Sequence, residues 1–145
     1  MMKEELREKL LRDAQRKDKE DLLTAFDSQK VKYQIFWEGD KTAQDELSRF
    51  PITSYGVLDL SKLQDTVALK LDELDKLIKS KQLDDPEVFV VWAFGPSLDL
   101  KTSLKGVLKN IELLSLDDDF FVVCPQEKWA LMFHHDEKIL FGKLK

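Results

Sequence analysis

The chain has 145 residues, of which 43% are hydrophobic and 35% charged, and its acids outnumber its bases to leave a formal charge of −5. That length fits a single domain, residues 1–145, able to bury about two-thirds of the surface its unfolded form exposes. The acidic balance excludes a general attraction to nucleic acid or to anionic membrane surfaces, since both need a basic face.

Cys124 is the single cysteine, which rules out an internal disulfide or a thiolate zinc cage within one chain. The opening MMKEELREKLLRD is charged from its third residue and lacks the apolar core of a secretory signal. The longest apolar run, VFVVWAF from Val88 to Phe94, has seven residues, too few to span a bilayer. A cytoplasmic protein is the expectation.

Residues 1–28 hold no Gly or Pro and many strong helix formers. Leu6, Leu10 and Ala14 fall on one stripe, whereas Leu22, Ala25 and Phe26 fall well round from it. Either two helices meet near RKDKED, with Asp18 capping the second, or one helix changes its packing partner there; two helices is the preferred reading. KVKYQIFWEG alternates, with Val31, Tyr33, Ile35 and Trp37 on one face and Lys32, Gln34, Phe36 and Glu38 on the other, a half-buried strand ending at Gly39. Asp40 then caps a short helix through Leu47, which Phe50-Pro51 terminates. ITSYGVLDL reads as loop with a short extended piece.

Ser61 and Gln64 have the spacing of a capping box, and Leu63, Val67, Leu71, Leu74 and Ile78 recur at helical intervals. A helix from Ser61 is expected to share one core with Trp92 and Trp129, with Asp72–Lys76 and Asp75–Lys79 pairs outside. Leu69 lies off that stripe, so it is exposed or covered by another element. A turn at Asp84 to Pro86 leads into EVFVVWAF, a strand apolar on both faces and hence central in its sheet. DLKTSLKGVLKN reads as a helix capped by Asp99 with Leu100, Leu104, Val107 and Leu108 inward. FFVVCP, WALMFHH and ILFGKL form a meander joined by QEK and a tight turn at HDEK. The expected order is ααβααβαβββ: an α+β domain whose antiparallel sheet ends in a β-meander, with helices packed on one face.

Candidate chemistry is sparse. His134 and His135 sit beside Asp136 and Glu137, but neighbours on a strand point to opposite faces, so no shared metal is expected of them. On that reading the stretch is a hairpin tip. His135 ends the face carrying Trp129, Leu131 and Phe133, which suggests partial burial with its ring N–H on a carbonyl or carboxylate. Cys124 reads as a core residue. Asp117, Asp118 and Asp119 lack the glycine and closing glutamate of a calcium loop and read as a solvated loop, the best anchor for lysines and arginines of a partner. No phosphate-binding glycine loop, nucleophile elbow or CxxC is present. No cofactor and no catalytic set is expected.

The C-terminal pattern of DFFVVCP, a strand opening at Trp129 and a hairpin closed by HHDEKILFG resembles endings of small bacterial immunity proteins, which accompany polymorphic or contact-dependent toxins. The resemblance covers roughly the last thirty residues and assigns no residue a role. It implies an acidic, cofactor-free protein, a monomer or weak dimer, that caps one basic toxin domain, often a nuclease. Asp117, Asp118, Asp119, His134 and Asp136 are then the expected partner contacts. The rival classes are a small enzyme using Cys124 or His134 and His135, and an adaptor acting through its N-terminal helices.

Overall fold

The computed structural model describes residues 3–93, 98–116 and 119–145. Two helices, α1 (Lys3–Asp18) and α2 (Glu20–Ser28), do meet near RKDKED. Lys19 rather than Asp18 takes the N-cap position, with no side-chain cap. Lys19 is buried at this junction, its ammonium 4.0 Å from the centre of the Trp92 ring, a cation–π contact. The stripe of Leu6, Leu10 and Ala14 on α1 faces solvent. α1 is held instead at its far end, where the Gln15 amide bonds both the carboxylate and the backbone N–H of Glu38.

Strand β1 (Tyr33–Phe36) follows, then α3 (Thr42–Leu47). Lys41 rather than Asp40 takes its N-cap position, with no side-chain cap, and Asp40 one residue earlier accepts the Thr42 N–H at 3.0 Å and hydroxyl at 2.6 Å on its Oδ1. The stretch from Ser61 departs from the sequence reading. Asp59, not a Ser61–Gln64 box, accepts the Ser61 N–H, and Leu60–Lys62 make a single tight turn. Gln64–Lys70 are a strand, β2, and only Leu74–Ser80 are α-helix, α4. β3 (Glu87–Trp92) leads to β4 (Asp99–Ser103), a strand where helix was expected. α5 (Leu104–Lys109) begins only after Ser103, whose hydroxyl accepts the Gly106 N–H at 3.1 Å. After α6 (Ile111–Leu114) comes the meander β5 (Phe120–Cys124), β6 (Trp129–Phe133) and β7 (Lys138–Lys143), where the apolar runs place it.

The seven strands form one sheet in the order β1-β4-β3-β5-β6-β7-β2, every pairing antiparallel. The architecture is therefore α+β, with β5 at the centre of the sheet and β6 and β7 following it towards the β2 edge. β2 closes the edge beyond β7, with a register shift between Gln64 and Val67 that marks a β-bulge or similar irregularity, and Asp65 within it is left-handed.

One face of the sheet carries Val88, Val90, Trp92, Val122, Trp129, Leu131 and Phe141, packed against Leu22, Leu23 and Phe26 of α2, Leu74 and Leu77 of α4, Leu104 and Val107 of α5 and Leu114 of α6. The other face carries Phe89, Val91, Phe121, Val123, Met132 and Leu140, covered by Ala43 and Leu47 of α3 and by Phe50, Leu58 and Leu63. Most helices thus lie on one face, as expected, but α3 and the 48–63 segment cover the second. That cover is why Phe36, read as outward, is buried. It also splits the expected leucine stripe: Leu74 joins Trp92 and Trp129, Leu63 belongs to the opposite face, and Leu71 is exposed. Leu69 is buried after all, because β2 turns it inward. Gly142 allows the second face to close, since a Cβ there would stand 2.6 Å from Leu63 Cδ1.

Among the described residues, no helix is long and apolar enough to cross a membrane.

Candidate functional site

Phe120 opens β5 opposite Phe133, the last residue of β6, and their rings stack 4.6 Å apart. This fixes the next residue outward on each strand: Asp119 lies beside His134 and His135. The tip beyond is a tight turn, with the His134 N–H donating to the Lys138 carbonyl at 2.9 Å and the Glu137 N–H to the His134 carbonyl at 3.1 Å. The Lys138 N–H donates to Asp136 Oδ1 at 3.1 Å.

Asp119 is corrected by this geometry. Expected on a solvated loop, its side chain is only 6% exposed, because the strand pairing carries on past Phe120: the Asp119 carbonyl accepts the Ala93 N–H at 2.9 Å. Its Oδ1 accepts the His135 N–H at 2.7 Å, and the His135 ring Nδ1 lies 3.1 and 3.3 Å from its two carboxylate oxygens. A buried carboxylate so engaged cannot reach out to a partner's lysine. Asp117 and Asp118 lie outside the described residues.

The histidines are also placed differently than alternation implies. β6 ends at Phe133, so both imidazoles fall in the turn, where successive side chains need not point apart. Their ring centroids are 4.2 Å from each other. His134 is the more enclosed, with its side chain 24% exposed against 75% for His135. The carboxylate partner expected for His135 is present as Asp119; the expected burial is not. His134 Nε2 lies 3.7 Å from Asp119 Oδ2. Its Nδ1, sealed from solvent, lies 2.8 Å from Asp136 Oδ1, at ion-pair distance but off the hydrogen-bond direction. Contact with the His134 ring, helped by the Lys138 N–H, holds the exposed Asp136 carboxyl below its ordinary value.

Two shallow clefts flank the tip. One, of about 360 Å³, is lined by Leu71, Ile111, Ser115, Phe133 and both histidines, with Glu112 and Glu137 at its walls. The other, of about 520 Å³, includes Glu73, Asp136 and Glu137 with Lys70 and Lys138. Charge of the opposite sign gathers elsewhere. A groove of about 680 Å³ along β1 is lined by Lys30, Lys32, Lys101, Lys105 and Lys109, offset by Asp85 and Glu87. β1 is four strands from β6, roughly 19 Å across the sheet.

Cys124 pairs with Trp129 at the far end of β6, roughly 17 Å of strand from His134. It is fully buried, and burial raises its thiol pKa. Both features oppose a cysteine–histidine nucleophile.

Two further polar side chains that the sequence did not mark as buried, Lys19 and Asp99, are both buried. Desolvation pushes the Asp99 carboxyl up to about 7 against the hydrogen bonds from the Gln44 side chain and the Trp92 N–H, with Asp40 adding to the rise and Lys19 opposing it. The sequence marked Asp99 as a helix cap, and only the pairing of β4 between β1 and β3 reveals it as a strand residue under α3.

No protein-family model matches this chain, and no match to a curated protein reaches significance.

Proposed function

We propose that this chain is a non-catalytic binding protein of the immunity type, acting in the cytoplasm of a bacterium by capping the basic active-site cleft of one toxin domain, such as a nuclease. The observation that carries the reading is the set of exposed carboxylates Glu73, Glu112, Asp136 and Glu137 around the β6–β7 tip. A nuclease cleft is lined by cations that hold phosphates, and carboxylates gathered around the hairpin tip are suited to stand in the phosphates' place. Long-range attraction speeds the encounter, and correct pairing at contact sets the register. His134 and Asp136 keep the partner-contact role expected of them, and Glu73, Glu112 and Glu137 take the place of Asp119.

The solvent-facing stripe of Leu6, Leu10 and Ala14 on α1 favours a second reading, an adaptor that docks a partner helix there.

Tagged protein purified from its native cells should carry one partner in a 1:1 complex. Adding one equivalent of the chain to the isolated partner should abolish that partner's activity on nucleic acid or another cellular target. A partner that stays fully active when saturated with the chain contradicts inhibition. A complex broken by Leu6→Glu/Leu10→Glu, and not by changes at the tip, supports the adaptor instead.

A further inference from the structure

We propose that Asp119 Oδ2, His134 Nε2 and His135 Nδ1 form a binding site for one divalent transition-metal ion of the zinc type. One donor atom from each of these three residues lies within 4.8 Å of the other two. Asp119 Oδ2 is 3.7 Å from His134 Nε2 and 3.3 Å from His135 Nδ1. Ligands of a tetrahedral zinc ion with bonds of about 2.0–2.1 Å stand roughly 3.3 Å apart, so the cluster needs only small rotamer adjustments to close on an ion. Two imidazoles and a carboxylate suit zinc, nickel, cobalt or copper rather than the all-oxygen ions magnesium and calcium.

A second feature comes from the surroundings of the donors. A metal-bound histidine usually directs its other ring nitrogen at a carboxylate, which fixes ring and tautomer. His134 Nδ1 has Asp136 Oδ1 at 2.8 Å, off the hydrogen-bond direction, so that a small turn of the Asp136 carboxyl would complete such a pairing. With the ring proton on that side, Nε2 turns a lone pair towards the Asp119 carboxylate, an arrangement that a cation between them stabilises. Asp119 is oriented in the same way, its Oδ1 holding the His135 N–H at 2.7 Å. Three protein donors leave one position of a four-coordinate shell for a further ligand, and the neighbouring cleft gives it room. The ion would tie the β6–β7 turn to the start of β5 and so order the tip. This inference rests on the tip alone and not on the identity of any partner.

Calorimetric titration of the metal-stripped protein with zinc chloride, in a buffer that does not chelate, should show one equivalent bound at micromolar affinity or tighter, with a rise in Tm. His135 is largely exposed, so His135→Ala should fold as the wild type by circular dichroism and bind zinc at least about tenfold more weakly. Asp136→Asn, one shell out, should weaken binding by about tenfold while keeping the stoichiometry. Cobalt should give the visible absorption of a tetrahedral site in the wild type and lose it in His135→Ala. Absence of saturable zinc binding at micromolar protein overturns the proposal, and so does an affinity unchanged in both His135→Ala and His134→Ala, the chain's two histidines.

Discussion

Trp129→Ala should destabilise the protein by about 3–5 kcal/mol, the range for removing a large aromatic from a close-packed core. Trp129 is fully buried on β6, flanked by β5 and β7, with its ring centroid 6.1 Å from that of Phe141. The cavity left behind cannot collapse easily, because every residue of β6 is held in register by both neighbouring strands. The indole N–H donates to Glu127 at 3.2 Å, so truncation also frees a carboxylate at the 125–128 turn. In a domain of this size such a loss lowers Tm by on the order of 10 °C. Tyr55→Ala is the control, since Tyr55 is among the most exposed apolar side chains and should shift stability by less than about 0.5 kcal/mol. A Trp129 variant within 1 kcal/mol of wild type in denaturant melts would contradict the packing described.

The second large effect is a pH dependence set by Asp99. Its folded carboxyl titrates at about 7, raised from 3.8 mainly by burial. The folded state therefore binds the proton more tightly than the unfolded chain. The resulting stability is fully present below about pH 4 and is lost as pH climbs through about 7. At 1.36 kcal/mol per unit the whole span is on the order of 4 kcal/mol. Asp99→Asn keeps an acceptor for the Trp92 N–H but carries no charge. It should be more stable than wild type at pH 8 by about 2 kcal/mol or more, and should lack the wild type's decline between pH 5 and 8. Equal slopes for the two proteins in urea melts across that range would show that Asp99 is not the group responsible.

The meander was legible because its three apolar runs are bounded by turn residues and too short for helices. Residues 61–80 were not, because Leu63, Val67, Leu71, Leu74 and Ile78 satisfy a helical period by spacing alone. The free edge of β7 decided the matter by recruiting Gln64–Lys70 as an edge strand. Leu100 likewise fits a helix stripe or a strand face, and the gap between β1 and β3 makes it strand. At the tip, an oxygen partner for the His135 ring, carbonyl or carboxylate, could be read from the sequence. The convergence of His134, His135 and Asp119 could not, since it depends on β6 ending at Phe133 and on β5 starting opposite it.

The claim that carboxylates around the tip meet a basic cleft is tested most directly by association rates with the purified partner, measured at several salt concentrations. Glu112→Lys/Glu137→Lys reverses two exposed charges without touching the proposed metal donors, and Lys105→Glu alters the distant lysine groove. The Debye length falls from about 10 Å at 0.1 M to about 3 Å at 1 M. Wild-type association should therefore slow steeply with salt. The glutamate double variant should start slower and depend less on salt, while Lys105→Glu should associate at least as fast as wild type. Rates indifferent both to salt and to reversal of Glu112 and Glu137 would contradict the account.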